Sequence, residues 1–117
     1  MELMVLDSAS MYFRAFFGVP DTVRAPDGTP VNAVRGFLDF IAHLTKLRRP
    51  THLVACMDYD WRPAFRVAAI PTYKTHRVAV PATNARPAEE DVPDDLEIQV
   101  PIKIGRASCR ERVCRIV

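Results

Sequence analysis

Two aspartates stand at matching places in the first half of this chain. Asp7 ends the apolar run Glu2–Leu6, and Asp58 follows the apolar run His52–Met57. Apolar runs of this length suit buried strands. Side chains just past the C-terminal ends of parallel strands face the crevice where α/β folds bind ligands. Two carboxylates converging there cannot both stay ionised without a cation, and their hard oxygens suit Mg2+ or Mn2+. The competing role is local: an Asp after a strand also caps the helix that follows.

Around these acids lie the cations that phosphodiester chemistry uses. Arg14 follows Asp7; Arg62 and Arg66 follow Asp58, and Lys74 and Arg77 come soon after. Fixed cations neutralise charge developing on a phosphoryl group. Tyr73, beside Lys74, offers a ring face on which an unpaired base can stack. For Arg62 and Tyr73, surface pairing and packing are equally good accounts.

Other chemistries lack their residues. There is no G-x-G-x-x-G or Walker loop. A phosphoaspartyl motif wants a second Asp two residues after Asp7, where Ala9 stands. Ser8, His43 and His76 have no nucleophile elbow to organise them. The three histidines show no metal-ligand spacing, and His43 on a long helix reads as structural. Cys56 lies in an apolar run and reads as a buried small hydrophobe. Cys109 and Cys114 make neither a zinc site nor a disulfide framework.

The elements that must position Asp7 and Asp58 follow from the pattern. Ser8 or Ser10 can cap a short helix running through Phe17. Residues 18–28 (GVPDTVRAPDG) read as a loop. Thr29-Pro30 then predicts a helix start, with apolar residues at 34, 37, 38, 41 and 44 and a stop near Arg48-Arg49-Pro50. Arg62–Ala69 suits a short helix with Pro63 in its first turn, Pro71–Pro93 a mobile segment, and Asp94 the cap of a last helix. Strand, helices, strand is the order of a parallel crossover, with both strands in one buried sheet.

Composition bounds the rest. The chain has 117 residues, 49% hydrophobic and 26% charged, which is a globular composition. No stretch approaches the roughly 20 apolar residues of a membrane span, and MELMVLDSAS is no secretory signal, so no membrane is expected and the cytoplasm is the expected location. The net charge of +2 hides segregation. Residues 1–102 carry 11 basic and 13 acidic side chains; the last fifteen carry five basic and one acidic. From Lys46 to Arg86 there are eight basic residues and only Asp58 and Asp60 as acids. That stretch suits a phosphate-bearing partner with a metal, or a solvated surface.

The end of the chain reads differently. Lys103–Val113, KIGRASCRERV, resembles the translation of a common short-read sequencing adapter. We therefore expect two parts: 1–102 as the N-terminal part of the native domain, and 103–117 as a non-native tail that takes no part in its fold.

Four stretches, VLDSASMYFRAFFGVP (5–20), APDGTPVNAVRGFLDFI (25–41), PTHLVACMDYDWRPAFR (50–66) and IPTYKTHR (70–77), resemble the 5′–3′ exonuclease family. This is the flap-endonuclease-like domain found at the front of bacterial DNA polymerase I and as stand-alone actinobacterial proteins. The resemblance implies a PIN-like α/β core with a parallel sheet, here truncated. It also implies divalent metal ions and hydrolysis of DNA from a 5′ end or flap in replication and repair, in a chain fused to or working with a DNA polymerase. It makes Asp7 and Asp58 the first two metal-site aspartates. Arg66, Lys74 and Arg77 match basic residues near the scissile phosphate and the base of a helical arch, and Arg14 a basic residue of the first helix. Asn32 and Gly36 match the helix-start motif, where the small residue permits close packing.

The family's acidic motif, Glu-x-Asp-Asp, its later aspartates and its helix–turn–helix element are expected beyond residue 102. Glu89, Glu90 and Asp91 fall too early to replace them. With two ligand carboxylates the chain itself is expected to be inactive. A non-catalytic DNA-binding module of the same fold, or a PIN-like ribonuclease, are the alternatives.

Overall fold

The first strand, β1 (Leu3–Asp7), and the second, β2 (His52–Cys56), lie side by side and parallel. Their register runs from Leu3 opposite His52 to Asp7 opposite Cys56. A clasp at the start of both strands fixes it. Glu2 N donates to Thr51 Oγ1 at 3.0 Å, and the N–H groups of Thr51 and His52 both donate to Glu2 O at 3.1 Å. The computed structural model describes residues 1–57, 61–86, 89–104 and 113–116. They fall into two units, Met1–Asp58 with Asp94–Val117, and Tyr59–Pro93.

In the first unit, β1 leads into α1 (Ser8–Gly18). Its cap is Asp7, whose Oδ1 accepts from Ser10 N at 3.2 Å, not Ser8 or Ser10. The strand ends where its last carboxylate can already receive a first-turn N–H. α2 (Asn32–Arg48) packs across α1. Gly36 makes this possible: a Cβ there would stand 2.8 Å from both Ala15 Cβ and Val19 Cγ2. Tyr12 and Phe37 meet edge to face at 5.9 Å between ring centres. With Leu6, Ala15, Ala33, Ala55 and Leu96 they form the buried core.

α2 begins later than Thr29-Pro30 predicts. Asp27 Oδ1 accepts from Thr29 N at 2.9 Å, Thr29 O accepts from Ala25 N, and Arg24 bridges Pro30 in extended pairing, with Gly28 at φ 87°. These bonds hold Thr29 and Pro30 in a hairpin-like turn, so Val31 is the N-cap and supplies no side-chain acceptor. The buried face is set by Asn32, Ala33, Gly36 and Phe37; Leu38, one of the apolar positions of the predicted helix, is exposed. His43 is exposed as well. The stop is as expected: Arg49 turns left-handed (φ 48°, ψ 49°) with its N–H on Thr45 O, and Lys46 and Arg48 occupy the last turn, where cations suit the helix dipole.

The expected buried sheet is open on one face. Side chains alternate along β1, so Leu6 is buried while Leu3 and Val5 are 51% and 59% exposed. Both helices lie between the strands in sequence; α1 contacts both strands, and Leu6 and Ala55 are buried. Cys56 is half-buried. The segment expected to be a non-native tail contributes β5 (Val113–Ile116), antiparallel to β2, so the strand order is β1-β2-β5. Cys114 lies in that strand; Cys109 lies outside the described residues. Two short helices, α4 (Asp94–Glu97) and α5 (Val100–Ile104), stand where one helix is predicted.

The second unit holds α3 (Ala64–Ala69), with Pro63 as its N-cap residue, then a 3-10 turn at Thr75–Arg77. A two-stranded antiparallel pair follows, β3 (Val78–Val80) with β4 (Glu89–Glu90). The described residues of the Pro-rich stretch thus include a turn and a strand pair. Its side chains tie it down: Arg62 Nε donates to Tyr73 O at 2.9 Å, and Lys74 Nζ to Trp61 O at 2.8 Å. Arg77 pairs with Glu90 across the strand pair, and Asp91 N donates to Arg77 O.

Candidate active site

Asp7 reaches the site because β1 ends there and α1 begins. The residue is exposed, and its Oδ1 accepts the Ser10 N–H at 3.2 Å. The parallel register sets Asp7 level with Cys56, two residues before Asp58. Asp58, the second aspartate expected at the centre, lies outside the described residues, as do Tyr59 and Asp60. Among the described residues no group of three or more His, Cys, Asp or Glu side chains is gathered to hold an ion. Asp7 therefore fits as one hard-oxygen ligand, short of the several that Mg2+ or Mn2+ needs.

Arg14 is exposed on α1, two turns beyond Asp7. That is roughly 10 Å along the axis at 1.5 Å per residue. The other predicted cations sit together in the second unit. Arg66 Nη1 donates to Tyr73 Oη at 2.8 Å, and its guanidinium carbon lies 5.5 Å from the Tyr73 ring centre. Lys74 Nζ lies 5.4 Å from the same ring. Arg62 adds a weak contact to Pro71 O at 3.5 Å. The hydrogen bond from Arg66, with the positive charges of Lys74 and Arg66, holds the Tyr73 phenol below its ordinary pKa.

These contacts modify the expectation that the cations simply await a phosphate. Arg62, Lys74 and Arg77 each already bind within the unit, to backbone carbonyls or to Glu90. An ammonium or guanidinium has several donors, so Arg66 and Lys74 keep N–H groups for an anion while holding the loop. Packing and binding are thus compatible roles for the same side chains.

Two features escape the sequence. Gln99, fully buried, accepts the Ala33 and Val34 N–H groups on Oε1 at 2.8 and 3.3 Å, capping α2 from far along the chain. Its only signal in the sequence is a polar residue between Ile98 and Val100. Phe65 stands exposed beside Arg66; an aromatic next to an arginine, in a stretch without acids, is the signal that marks it.

A profile of the family described as 5′-3′ exonuclease, N-terminal resolvase-like domain, matches residues 2–106. The chain belongs to this family. Its α/β fold, with a parallel strand pair, is that of the resolvase-like domain. Among relatives, a 5′-3′ exonuclease of Streptomyces coelicolor is 67% identical over 99 residues, covering 85% of this chain and 33% of that protein. A 5′-3′ exonuclease of Mycobacterium tuberculosis is 58% identical over 98 residues, covering 84% and 31%. A DNA polymerase I of Mycobacterium bovis is 38% identical over 80 residues, covering 68% of this chain and 9% of the polymerase. The chain thus spans about a third of the length of the two exonucleases. No helix among the described residues is long and apolar enough to cross a membrane.

Proposed function

We propose that this chain is the N-terminal part of a DNA 5′-3′ exonuclease or 5′-flap endonuclease that uses divalent metal ions. The observation that carries the proposal is the β1/β2 register. It brings Asp7 to the same end of the sheet as the segment leading to Asp58. In this reading Asp7 and Asp58 are metal ligands, and Arg66 and Lys74 neutralise the reacting phosphate. Arg14, Arg62, Tyr73 and Arg77 hold DNA near its 5′ end or flap. A bound Mg2+ or Mn2+ would supply Lewis acidity for the hydrolysis. Likeness to the polymerase of M. bovis supports action beside or within a DNA polymerase in replication and repair, and the cytoplasm follows as its site of action.

In this reading residues 103–117 are a non-native tail. An open sheet edge accepts any extended segment, so β5 is compatible with that origin. Because two aspartates are too few for a two-metal centre, the 117-residue chain is expected to cut flap DNA negligibly. The deciding experiment joins residues 1–102 to the portion of the S. coelicolor exonuclease that follows its matched region. The chimaera should cut 5′-flap DNA in Mg2+ and stop on chelation. A folded chimaera that binds the flap but cuts in neither Mg2+ nor Mn2+ would leave only a binding module.

A further inference from the structure

α3 is six residues long and buries none of them, so packing does not account for Phe65, whose side chain is 70% exposed. The Arg66 guanidinium carbon lies 5.7 Å from the Phe65 ring centre and 5.5 Å from that of Tyr73. Arg66 is itself fixed by its 2.8 Å bond to the Tyr73 hydroxyl. A cation over one face of a ring leaves the other face open. Along this stretch of chain the charge has one sign: from Trp61 to Ala88 there are five Lys or Arg residues and no acid. An exposed ring framed by cations complements a ligand that alternates flat apolar faces with negative charge. Single-stranded nucleic acid is such a ligand, because every base has a face to stack and every linkage a phosphate.

We infer that Phe65 is the seat on which an unpaired base of single-stranded DNA stacks, with its flanking phosphates against Arg66 and Lys74. This deepens the nuclease reading, on which it rests, by giving the unpaired strand a defined contact. The seat tolerates any base, since stacking reads no hydrogen-bond pattern.

The test uses the 117-residue chain in chelator, so that nothing can be cut. Two fluorescent oligonucleotides of about 12 nucleotides, in the size range single-strand sites cover, are compared by anisotropy. One is oligothymidylate; the other has the same phosphates but abasic sugars. The wild-type chain should prefer oligothymidylate. Phe65→Ala should weaken that binding about 5- to 150-fold, the loss of one stacked base, and leave the abasic affinity unchanged. Phe65→Trp should restore it, with added indole fluorescence that only oligothymidylate quenches. Circular dichroism should match wild type throughout, since Phe65 is exposed.

If Phe65→Ala binds both strands as wild type does, while Arg66→Gln weakens both, the stacking seat is wrong and the nucleic-acid reading survives. If wild type binds neither strand, both fall. If wild type dimerises through Phe65 and does not distinguish the two strands, the ring is a self-association contact and the inference is overturned.

Discussion

Gln99 and Asn32, 67 residues apart in sequence, meet as buried partners, with Gln99 Nε2 donating to Asn32 Oδ1 at 2.9 Å. Asn32 Nδ2 passes the link on to Phe16 O and Val19 O at the end of α1. Gln99 also donates to Asp95 O at 2.7 Å, and its own carbonyl accepts from Tyr12 Oη at 2.6 Å. Two amide side chains thereby join α1, α2 and the segment after Asp94 with every strong donor and acceptor engaged.

Gln99→Leu should keep the volume and lose the network. It leaves the Ala33 and Val34 N–H groups, Asn32 Oδ1 and Asp95 O without their partner. Buried groups left so cost about 1–3 kcal/mol each, and they are not additive. A net loss of about 2–4 kcal/mol is expected, read from the urea midpoint. An unchanged midpoint would mean the network is dispensable.

Gly36→Ala tests the helix crossing. Alanine favours a helix over glycine by about 1 kcal/mol, so an isolated helix would gain. Here the new methyl meets Ala15 Cβ and Val19 Cγ2 at 2.8 Å, with the Ala15 Cα at 3.2 Å. Backbone that close cannot yield cheaply, so a net loss of about 1–3 kcal/mol is expected. Thermal melting decides the sign.

The two roles of Asp7 separate by substitution. Asn caps a helix about as well as Asp, whereas Ala costs about 1 kcal/mol. Asp7→Asn should therefore melt near wild type and Asp7→Ala below it. In the chimaera both should lose metal-dependent cleavage by more than the roughly 10–100-fold that removing a supporting group costs. If Asp7→Asn cuts normally, Asp7 is a cap and nothing more.

The tyrosines give the pH dependence. Tyr73 is lowered by the Arg66 hydrogen bond, so its phenolate is favoured in the folded state. That contribution is present above the ordinary phenol value, about 10, and is lost as pH falls through the depressed folded value. Tyr12 is the reverse, raised by burial; its contribution is full below about 10 and disappears as pH rises beyond it. In a tyrosinate absorbance titration, Tyr73→Phe should delete the earliest phase and Arg66→Gln should move it upward. Tyr12→Phe should delete the latest, which should coincide with alkaline unfolding.

Local chemistry was enough to announce the two strands and the stop of α2 at Arg48 and Arg49. Strand runs and left-handed helix ends are determined within a few residues, so composition and spacing carry them. The start of α2 was not legible, because Thr29 and Pro30 satisfy the helix-start pattern and the turn pattern alike. Only the Asp27, Ala25 and Arg24 bonds around them select the turn.

By itself, then, the sequence determined which residue types stand at the strand ends and how positive charge is distributed, since these are properties of the chain in one dimension. The tertiary structure decided that Asp7 and Cys56 share a level, that Gln99 caps a helix it does not belong to, and that Gly36 lets two helices touch. Each depends on which distant atoms arrive within about 3 Å, the reach of a hydrogen bond. No local pattern encodes that distance.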